Sequence, residues 1–470
     1  MVFSSAEFIW FFLPIVLVIY FGVGVFERNG NVVKNIVLLI ASLIFYAWGE
    51  PYYILLLLFS IIMNYIFGLL VEKKKNRCIL AFAVCANLGI LGIFKYFNFI
   101  FDNINAIFAT NFFAGLEIIL PIGISFFTFQ ALSYVIDVYR GDNKAQNNPL
   151  DLALYISFFP QLIAGPIVKY KDIERQLKKR KTSIEKMTFG IRRFIFGLGK
   201  KCVLSNACAE VADVVFDSDI NFLSTPIAWI GIMCYTFQIY YDFSGYSDMA
   251  IGLGKIFGFE FLENFNFPYI STSIQEFWRR WHISLSSWFK EYLYIPLGGN
   301  RKGKVRTYLN LLIVFFCTGF WHGASWNFIV WGMFHGFFQL LERGKWGEYI
   351  KNKRILGHFY TMLIVMVGWV FFRAESLPKA LQYLHKMFVY DSYSIYTIGR
   401  YMNCYIIVII FLSILLCGLL QNKSHFLWGK SINNPLQISF MDCSICLLIM
   451  AITGVLIVCN TYNPFIYFQF

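Results

Sequence analysis

The feature that most constrains the fold is an apolar run from Thr307 to Leu341, which contains no Asp, Glu, Lys or Arg. As one straight helix it would be roughly 52 Å long, while the hydrocarbon core of a bilayer is only about 30 Å thick. We therefore expect two helical pieces with a break near Gly319 and Gly323, because glycine tolerates the backbone angles of a junction. His322 then lies within the depth of the membrane, where a titratable side chain is costly and is a functional candidate. A purely structural histidine, hydrogen-bonded between helices, is the alternative that spacing leaves open.

The composition places the chain among the polytopic membrane proteins. Hydrophobic residues make up 58% of the chain and charged residues 14%, whereas soluble domains have about 25% charged residues. The net charge of +13 does not indicate nucleic-acid binding, because the lysines and arginines gather in short loops beside apolar runs. We therefore predict an all-α polytopic membrane protein that contacts the lipid bilayer and no nucleic acid, with residues 1–470 forming a single domain.

Two neighbouring stretches interrupt the predicted spans. Leu152–Val168 is apolar but is broken by Pro160, Gly165 and Pro166, and basic residues flank it on both sides. This pattern predicts a re-entrant segment, which a membrane protein tolerates where protein or water shields the backbone. The residues that follow, 169–186, are polar and strongly basic, and we predict a surface helix on the cytoplasmic side.

Residues 273–306 are also predicted to be cytoplasmic or interfacial. Trp278, Trp281 and Trp288 recur at helical steps within 273–295 and define one aromatic face. This pattern predicts a single helix that lies in the membrane interface, with its tryptophans at the level of the lipid headgroups.

A third polar stretch, 242–248, lies among apolar runs. It contains two carboxylates and two serine hydroxyls, including Asp242 and Ser244. These groups could line a polar path through the protein, or they could form a hydrogen-bonded cluster between helices. The sequence leaves both interpretations open.

The histidines are the main candidates for catalytic residues in this sequence. The six histidines are His282, His322, His335, His358, His385 and His425. No pair has the i, i+4 spacing of helical metal ligands, so we predict no metal site. His335 is predicted to be structural, and a place beside His322 is the alternative. An imidazole held away from water stays neutral near pH 7 and can take a proton from a hydroxyl, which suits acyl transfer from a thioester. A proton-relay histidine in a proton-coupled solute transporter is the alternative from another class.

Several motifs together resemble one family of enzymes. The block 277–286 followed by 321–323 resembles the membrane-bound O-acyltransferase (MBOAT) family. The segments that resemble its bacterial alginate O-acetyltransferase branch are 1–5, 241–248, 264–269 and 465–468. The resemblance implies a helical funnel of about 10–12 spans with interfacial helices, re-entrant segments and a tunnel across the membrane. It also implies that His322 is the catalytic histidine and that His282 occupies the second active-site position.

The resemblance implies a reaction and partners as well. Members of this branch take acetyl from a cytoplasmic donor, so acetyl-CoA is the expected donor substrate, with an acyl carrier protein as the other possible donor. No bound cofactor is expected. The acceptor would be an extracytoplasmic polysaccharide, reached directly or through a secreted or membrane-anchored acetyltransferase partner, and the chain would lie in a bacterial plasma (inner) membrane. D-alanyl transfer from a carrier protein to teichoic acid is the near alternative, because that branch shares both histidines.

These implications give each candidate residue a predicted role. His322 would be the general base, and His282 would orient the acyl group or hydrogen-bond to the reacting centre. The residues predicted to line the tunnel or bind substrate are Trp321, Trp281, Trp278, Arg279, Arg280, Asp242 and Ser244. Among these, the two arginines, together with the basic loop 301–306, are candidates for holding a nucleotide-bearing donor because of their charge alone.

Overall fold

The computed structural model describes residues 1–26, 31–112, 117–394, 397–419, 440–459, 462–463 and 466. Within these ranges helices are the only regular secondary structure, which confirms the all-α prediction. The chain divides into two compact units, Met1–Phe194 with Met249–Leu262 and Ile195–Asp248 with Glu263–Phe470. The assignment of residues 1–470 to a single domain stays a prediction.

The first unit contains the N-terminal helices. In chain order they are α1 (Leu13–Phe26), α2 (Val32–Gly49), α3 (Ile54–Lys74), α4 (Arg77–Phe108), α5 (Ile124–Arg140), α6 (Pro149–Ser157), α7 (Phe159–Leu162), α8 (Tyr170–Lys178) and α9 (Ile184–Gly199), whose last residues belong to the second unit. The start of α6 follows from its sequence. The Asn148 side chain accepts a hydrogen bond from the backbone N–H of Leu150, and Pro149 occupies a first-turn position where its missing N–H costs no helical hydrogen bond.

The stretch after α6 is a broken helix, as its prolines predict. The backbone leaves the helical conformation at Phe158, and α7 adds one short turn that includes Pro160. The path of Leu152–Val168 relative to a membrane stays a prediction. The surface helix predicted over 169–186 is wrong in its extent. Only α8 precedes α9 there, and Tyr170, Ile173 and Leu177 form a buried face of α8, so this helix packs against the unit instead of lying free on its surface.

The second unit contains the remaining helices. They are α10 (Asn206–Phe216), α11 (Thr225–Ile256), α12 (Ile274–Arg280), α13 (Ile283–Phe289), α14 (Gly303–His322), α15 (Trp326–Leu341), α16 (Lys345–Lys351), α17 (Arg354–Arg373), α18 (Leu377–Phe388), α19 (Ile398–Tyr401), α20 (Cys404–Ile414) and α21 (Phe440–Cys459). The C-terminal residues of α11 belong to the first unit. A π-helical turn, Lys200–Ser205, joins α9 to α10, and another, Lys290–Tyr294, extends α13.

The apolar helices confirm a multi-pass membrane protein. Among the described residues, five helices are long and apolar enough to cross a bilayer, namely α2, α3, α4, α17 and α21. Two shorter apolar helical stretches cover Phe8–Gly24 and Cys404–Gly418. The total of about 10–12 spans stays a prediction.

The helix predicted over 273–295 is wrong as a single element. Its backbone is broken between α12 and α13, where His282 adopts a left-handed conformation with φ of 44°. Its tryptophans are buried in the second unit, including Trp278 and Trp288, and are not exposed along one face. The helical period predicted correctly that Trp278, Trp281 and Trp288 avoid water, but it could not show that they do so inside the protein.

Candidate active site

The apolar run that contains His322 folds into two helices with a sharp corner between them. Helix α14 ends at His322, Gly323 is extended, and α15 begins at Trp326. The break near Gly323 is therefore confirmed. The predicted role of Gly319 at this junction is wrong, because it lies within α14. A Cβ atom at Gly319 would lie 2.3 Å from the carbonyl oxygen of Phe328 on α15, so this glycine lets the two helices approach closely.

This corner buries the His322 side chain among aromatic rings. Only 5% of its surface is exposed. Its ring makes edge-to-face contacts with Trp321, Trp331 and Phe372, at centroid distances of 4.9, 5.0 and 5.3 Å.

His282 is held beside this corner by an unusual stretch of backbone. Its positive φ is uncommon for a residue with a side chain and costs about 1–2 kcal/mol. Two backbone hydrogen bonds flank it: Asn266 N–H donates to the Arg280 carbonyl and Ile283 N–H donates to the Asn264 carbonyl, each at 2.9 Å. Such strain is retained where the surrounding structure enforces it, and it concentrates at functional sites.

The two candidate histidines meet in the folded protein. The ring centroids of His282 and His322 lie 6.4 Å apart, and the ring of Trp321 is 6.3 Å from His282. His282 is fully buried, and its Nε2 atom has no hydrogen-bond partner among the described residues. The structure thus brings together the paired histidines and Trp321 in the second unit.

The other two predicted tryptophans occupy different positions around this pair. Trp281 packs against Trp369, with centroids 4.9 Å apart, and contacts Tyr269 at 6.1 Å. Trp278 lies 5.7 Å from Trp331 and 5.2 Å from His335. They therefore form the aromatic packing around the histidines, and their predicted role in a tunnel wall stays a prediction.

The cluster also contains Trp331, which the sequence analysis missed, and His335, which it predicted to be structural. His335 is fully buried and lies 5.4 Å from Trp331, which itself touches His322. Both ring nitrogens of His335 and the indole nitrogens of Trp278 and Trp331 are buried without a hydrogen-bond partner among the described residues. Buried polar atoms are usually hydrogen-bonded. A polar group of a bound ligand would therefore be stabilised at this cluster of unpaired nitrogens. The spacing of Trp331 and His335, at i and i+4 on α15, was the available signal.

The predicted arginines do not converge on the histidines. Arg280 forms an ion pair with Glu276 at 3.0 Å and donates to the Asn266 carbonyl at 3.0 Å, while Arg279 is exposed. The basic stretch 301–306 is exposed as well, but the loop predicted there is wrong in its extent, because α14 begins at Gly303. Contact of these groups with a donor stays a prediction.

The polar stretch 242–248 lies inside α11 and forms one buried and one partly buried ion pair. Lys201 lies 2.7 Å from Asp242, both almost fully buried, and Lys200 lies 2.6 Å from Asp248. Asp242 also accepts a hydrogen bond from the backbone N–H of Ile466 at 2.9 Å. This is the arrangement of the interhelical alternative, and the substrate roles of Asp242 and Ser244 stay predictions.

Two sequence predictions fall partly outside the described residues. Ile466 is described, whereas Phe465, Tyr467 and Phe468 of the C-terminal motif are not. His425 also lies outside the described residues.

Comparisons with known proteins agree with one family over the region that contains the site. A model of the membrane-bound O-acyltransferase family matches residues 143–372, which include both candidate histidines. The chain is 40% identical to the probable alginate O-acetylase of Pseudomonas putida, over 100% of both chains. It is 35% identical to the peptidoglycan O-acetyltransferase of Helicobacter pylori, over 100% of this chain and 98% of that protein. The teichoic acid D-alanyltransferase of Bacillus subtilis is 27% identical over 52% of this chain and 65% of its own length.

Proposed function

Because the chain belongs to the membrane-bound O-acyltransferase family, we propose that it transfers an acetyl group from a cytoplasmic thioester to a polysaccharide hydroxyl outside the cytoplasm. Acetyl-CoA is the proposed donor and no bound cofactor is required. The names of the full-length relatives support acetyl transfer, since one is called an alginate O-acetylase and another a peptidoglycan O-acetyltransferase. The proposed location is a bacterial plasma membrane, where one protein can meet both substrates.

The observation that carries this proposal is the buried pair of histidines. With His322 as general base, the acceptor hydroxyl oxygen attacks the thioester carbonyl carbon while the imidazole takes the hydroxyl proton. The carbon–sulfur bond then breaks, and the proton passes to the departing thiolate, so the products are an acetyl ester and a free thiol. This role requires a neutral imidazole, because only the neutral form has a lone pair that can take the proton.

The acceptor can be the glycan itself or a serine of a partner enzyme. In the second case a secreted or membrane-anchored polysaccharide acetyltransferase would carry the acetyl group onward. The chemistry at His322 is the same for both acceptors, because each presents a hydroxyl. An acyl carrier protein is the corresponding alternative on the donor side.

The experiment that tests the proposal is transfer of labelled acetyl from acetyl-CoA by the purified protein, with candidate glycans as acceptors. We expect His322→Ala to lower kcat by about 10²–10⁴-fold, the usual contribution of a general base. His385→Ala is the matched control, because His385 is exposed on α18, and it should retain wild-type activity. A correctly folded His322→Ala protein with wild-type activity would refute the proposed mechanism.

D-alanyl transfer is the second candidate, favoured by the partial similarity to a teichoic acid D-alanyltransferase. The same assay decides between the two reactions if it offers D-alanyl carrier protein beside acetyl-CoA. Transfer of D-alanine but not of acetyl would establish the alternative.

A further inference from the structure

We propose that Asn264 is a positioning residue that fixes the tautomer of His282, so that His282 binds a hydroxyl of the acceptor and not the carbonyl oxygen of the donor. This inference rests on the proposed function. It starts from a chain of hydrogen bonds among buried side chains, in which Asn264 donates to Ser247 on α11 and also contacts His282.

The orientation of the Asn264 amide is decided by its neighbours. The backbone N–H of Ser284 lies 3.2 Å from the atom placed as Oδ1, and a backbone N–H can only donate, so an oxygen must stand there. The Ser284 hydroxyl donates to the same oxygen at 2.9 Å. The amide nitrogen on the other side donates to the Ser247 hydroxyl at 3.0 Å. The amide therefore has one consistent orientation.

That orientation determines where His282 carries its proton. The Nδ1 atom of His282 lies 3.2 Å from Asn264 Oδ1, which can only accept, so Nδ1 must carry the hydrogen. The Ser284 hydroxyl is more distant from Nδ1, at 3.5 Å, and its own hydrogen is directed to Asn264. In a neutral imidazole the other nitrogen, Nε2, is then an acceptor with a free lone pair.

The same asparagine also holds the backbone of His282 in its left-handed conformation. The Asn264 carbonyl accepts from the N–H of Ile283, directly after His282, at 2.9 Å. Its side chain accepts from the N–H of Ser284, one residue further. Backbone and side chain of one residue thus set both the position and the tautomer of the imidazole.

This tautomer selects the chemical group that His282 can bind. A thioester carbonyl oxygen is an acceptor and would need an N–H at Nε2, which this tautomer lacks. A hydroxyl is a donor and matches the lone pair of Nε2, an atom that is buried and has no partner among the described residues. Of the two roles predicted for His282, to orient the acyl group or to hydrogen-bond to the reacting centre, this geometry supports the hydrogen bond, with a hydroxyl of the acceptor as its partner.

The test compares Asn264→Ala with Asn264→Asp in the acetyl-transfer assay, with KM measured separately for acetyl-CoA and for the acceptor. We expect Asn264→Ala to reduce kcat/KM for the acceptor about threefold to tenfold, because the hydrogen bond that favours one tautomer and positions the ring is lost, while KM for acetyl-CoA stays within about twofold. Asn264→Asp retains an acceptor for Nδ1 and should recover part of the activity. In this variant the acidic limb of the plot of kcat/KM against pH should move to higher pH, because the added carboxylate stabilises the protonated imidazole of His282.

The matched control is Asn310→Ala. Asn310 is another fully buried asparagine of the second unit, and its side chain donates to the Gly299 carbonyl at 2.9 Å, among residues outside the histidine pair. A general loss of packing would affect both alanine variants alike, and only the Asn264 variants should change the pH profile and the KM for the acceptor.

The results that would overturn the inference are distinct from those that would overturn the proposed function. A wild-type protein that transfers no acetyl refutes the proposed function. An active wild type with Asn264→Ala kinetics unchanged, or with a raised KM for the donor instead of the acceptor, refutes only this inference. If Asn264→Ala does not fold, Asn264→Asp is decisive, because it keeps the size of the side chain and an acceptor for Nδ1 of His282. Its pH profile for kcat/KM of the acceptor should shift to higher pH, and a profile identical to that of the wild type would refute the inference.

Discussion

The crossing of α14 and α15 is the most informative place for a single substitution, because one added methyl group should displace the candidate base. A Cβ atom at Gly332 would lie 2.3 Å from the carbonyl oxygen of Phe315 and 3.0 Å from the Cα atom of Gly319. Backbone atoms cannot rotate away as a side chain can, so Gly332→Ala must push the helices apart. To restore an ordinary contact distance of about 3.5 Å between these atoms, the two helices must move about 1 Å apart.

The expected effects follow from that displacement. Overpacking of this kind costs about 1–3 kcal/mol of stability, which should lower the apparent melting temperature in detergent by several degrees. Gly332 directly follows Trp331, whose ring contacts His322 at 5.0 Å. A shift of about 1 Å at a reacting centre can cost about 10²-fold in rate. We therefore expect a large loss of kcat in Gly332→Ala, even though the substituted residue has no reactive group.

Gly336→Ala is the matched control on the same helix. Its Cβ atom would lie 3.1 Å from the Cβ atom of Phe315, which is a tight contact that a small adjustment relieves. Both substitutions gain the same helix propensity, about 1 kcal/mol, so the difference between the two variants measures the packing cost alone. Equal melting temperatures and equal kcat values for the two variants would refute the reasoning.

Two further predictions concern polar groups that support the second unit. Lys201→Met removes the cation beside the buried Asp242 and should destabilise the protein by about 3–5 kcal/mol, whereas a double variant with Asp242→Leu should recover most of that loss in the same thermal assay. Glu342 accepts hydrogen bonds from the N–H groups of Ile274 and Gln275, and burial raises the pKa of its carboxyl. The folded state then holds this proton more tightly than the unfolded state, so its contribution is greatest below the unfolded pKa and declines as the pH rises through the folded pKa. Glu342→Gln should remove that decline. If Tm depends on pH with the same slope in the variant and in the wild type, the prediction is wrong.

Family membership decides one alternative that residue spacing left open. The match to the membrane-bound O-acyltransferase family makes the chain an O-acyltransferase, and it does not support the solute transporter. The sequence motifs around His282 and His322 were sufficient to predict this family. They could not predict how the two rings are oriented, because that depends on contacts with α11, α15 and α17.

The failed prediction over 273–295 shows where periodicity stops being informative. Its three- and four-residue steps correctly identified Trp278 and Trp288 as side chains that leave water. The sequence pattern does not predict the left-handed conformation at His282, because no glycine occupies that position. It is enforced by Asn264, eighteen residues earlier in the chain, through hydrogen bonds that exist only after folding.

The sequence by itself determined the membrane character, the break near Gly323 and the pair of histidines, because each depends on local composition, on the length of an apolar run or on a short motif. Only the tertiary structure decided that Lys201 neutralises Asp242, that His335 joins the aromatic cluster and that Asn264 sets the proton of His282. The physical reason is that partitioning from water acts on each segment separately, whereas ion pairs, ring contacts and tautomers depend on distances between segments that are far apart in the chain.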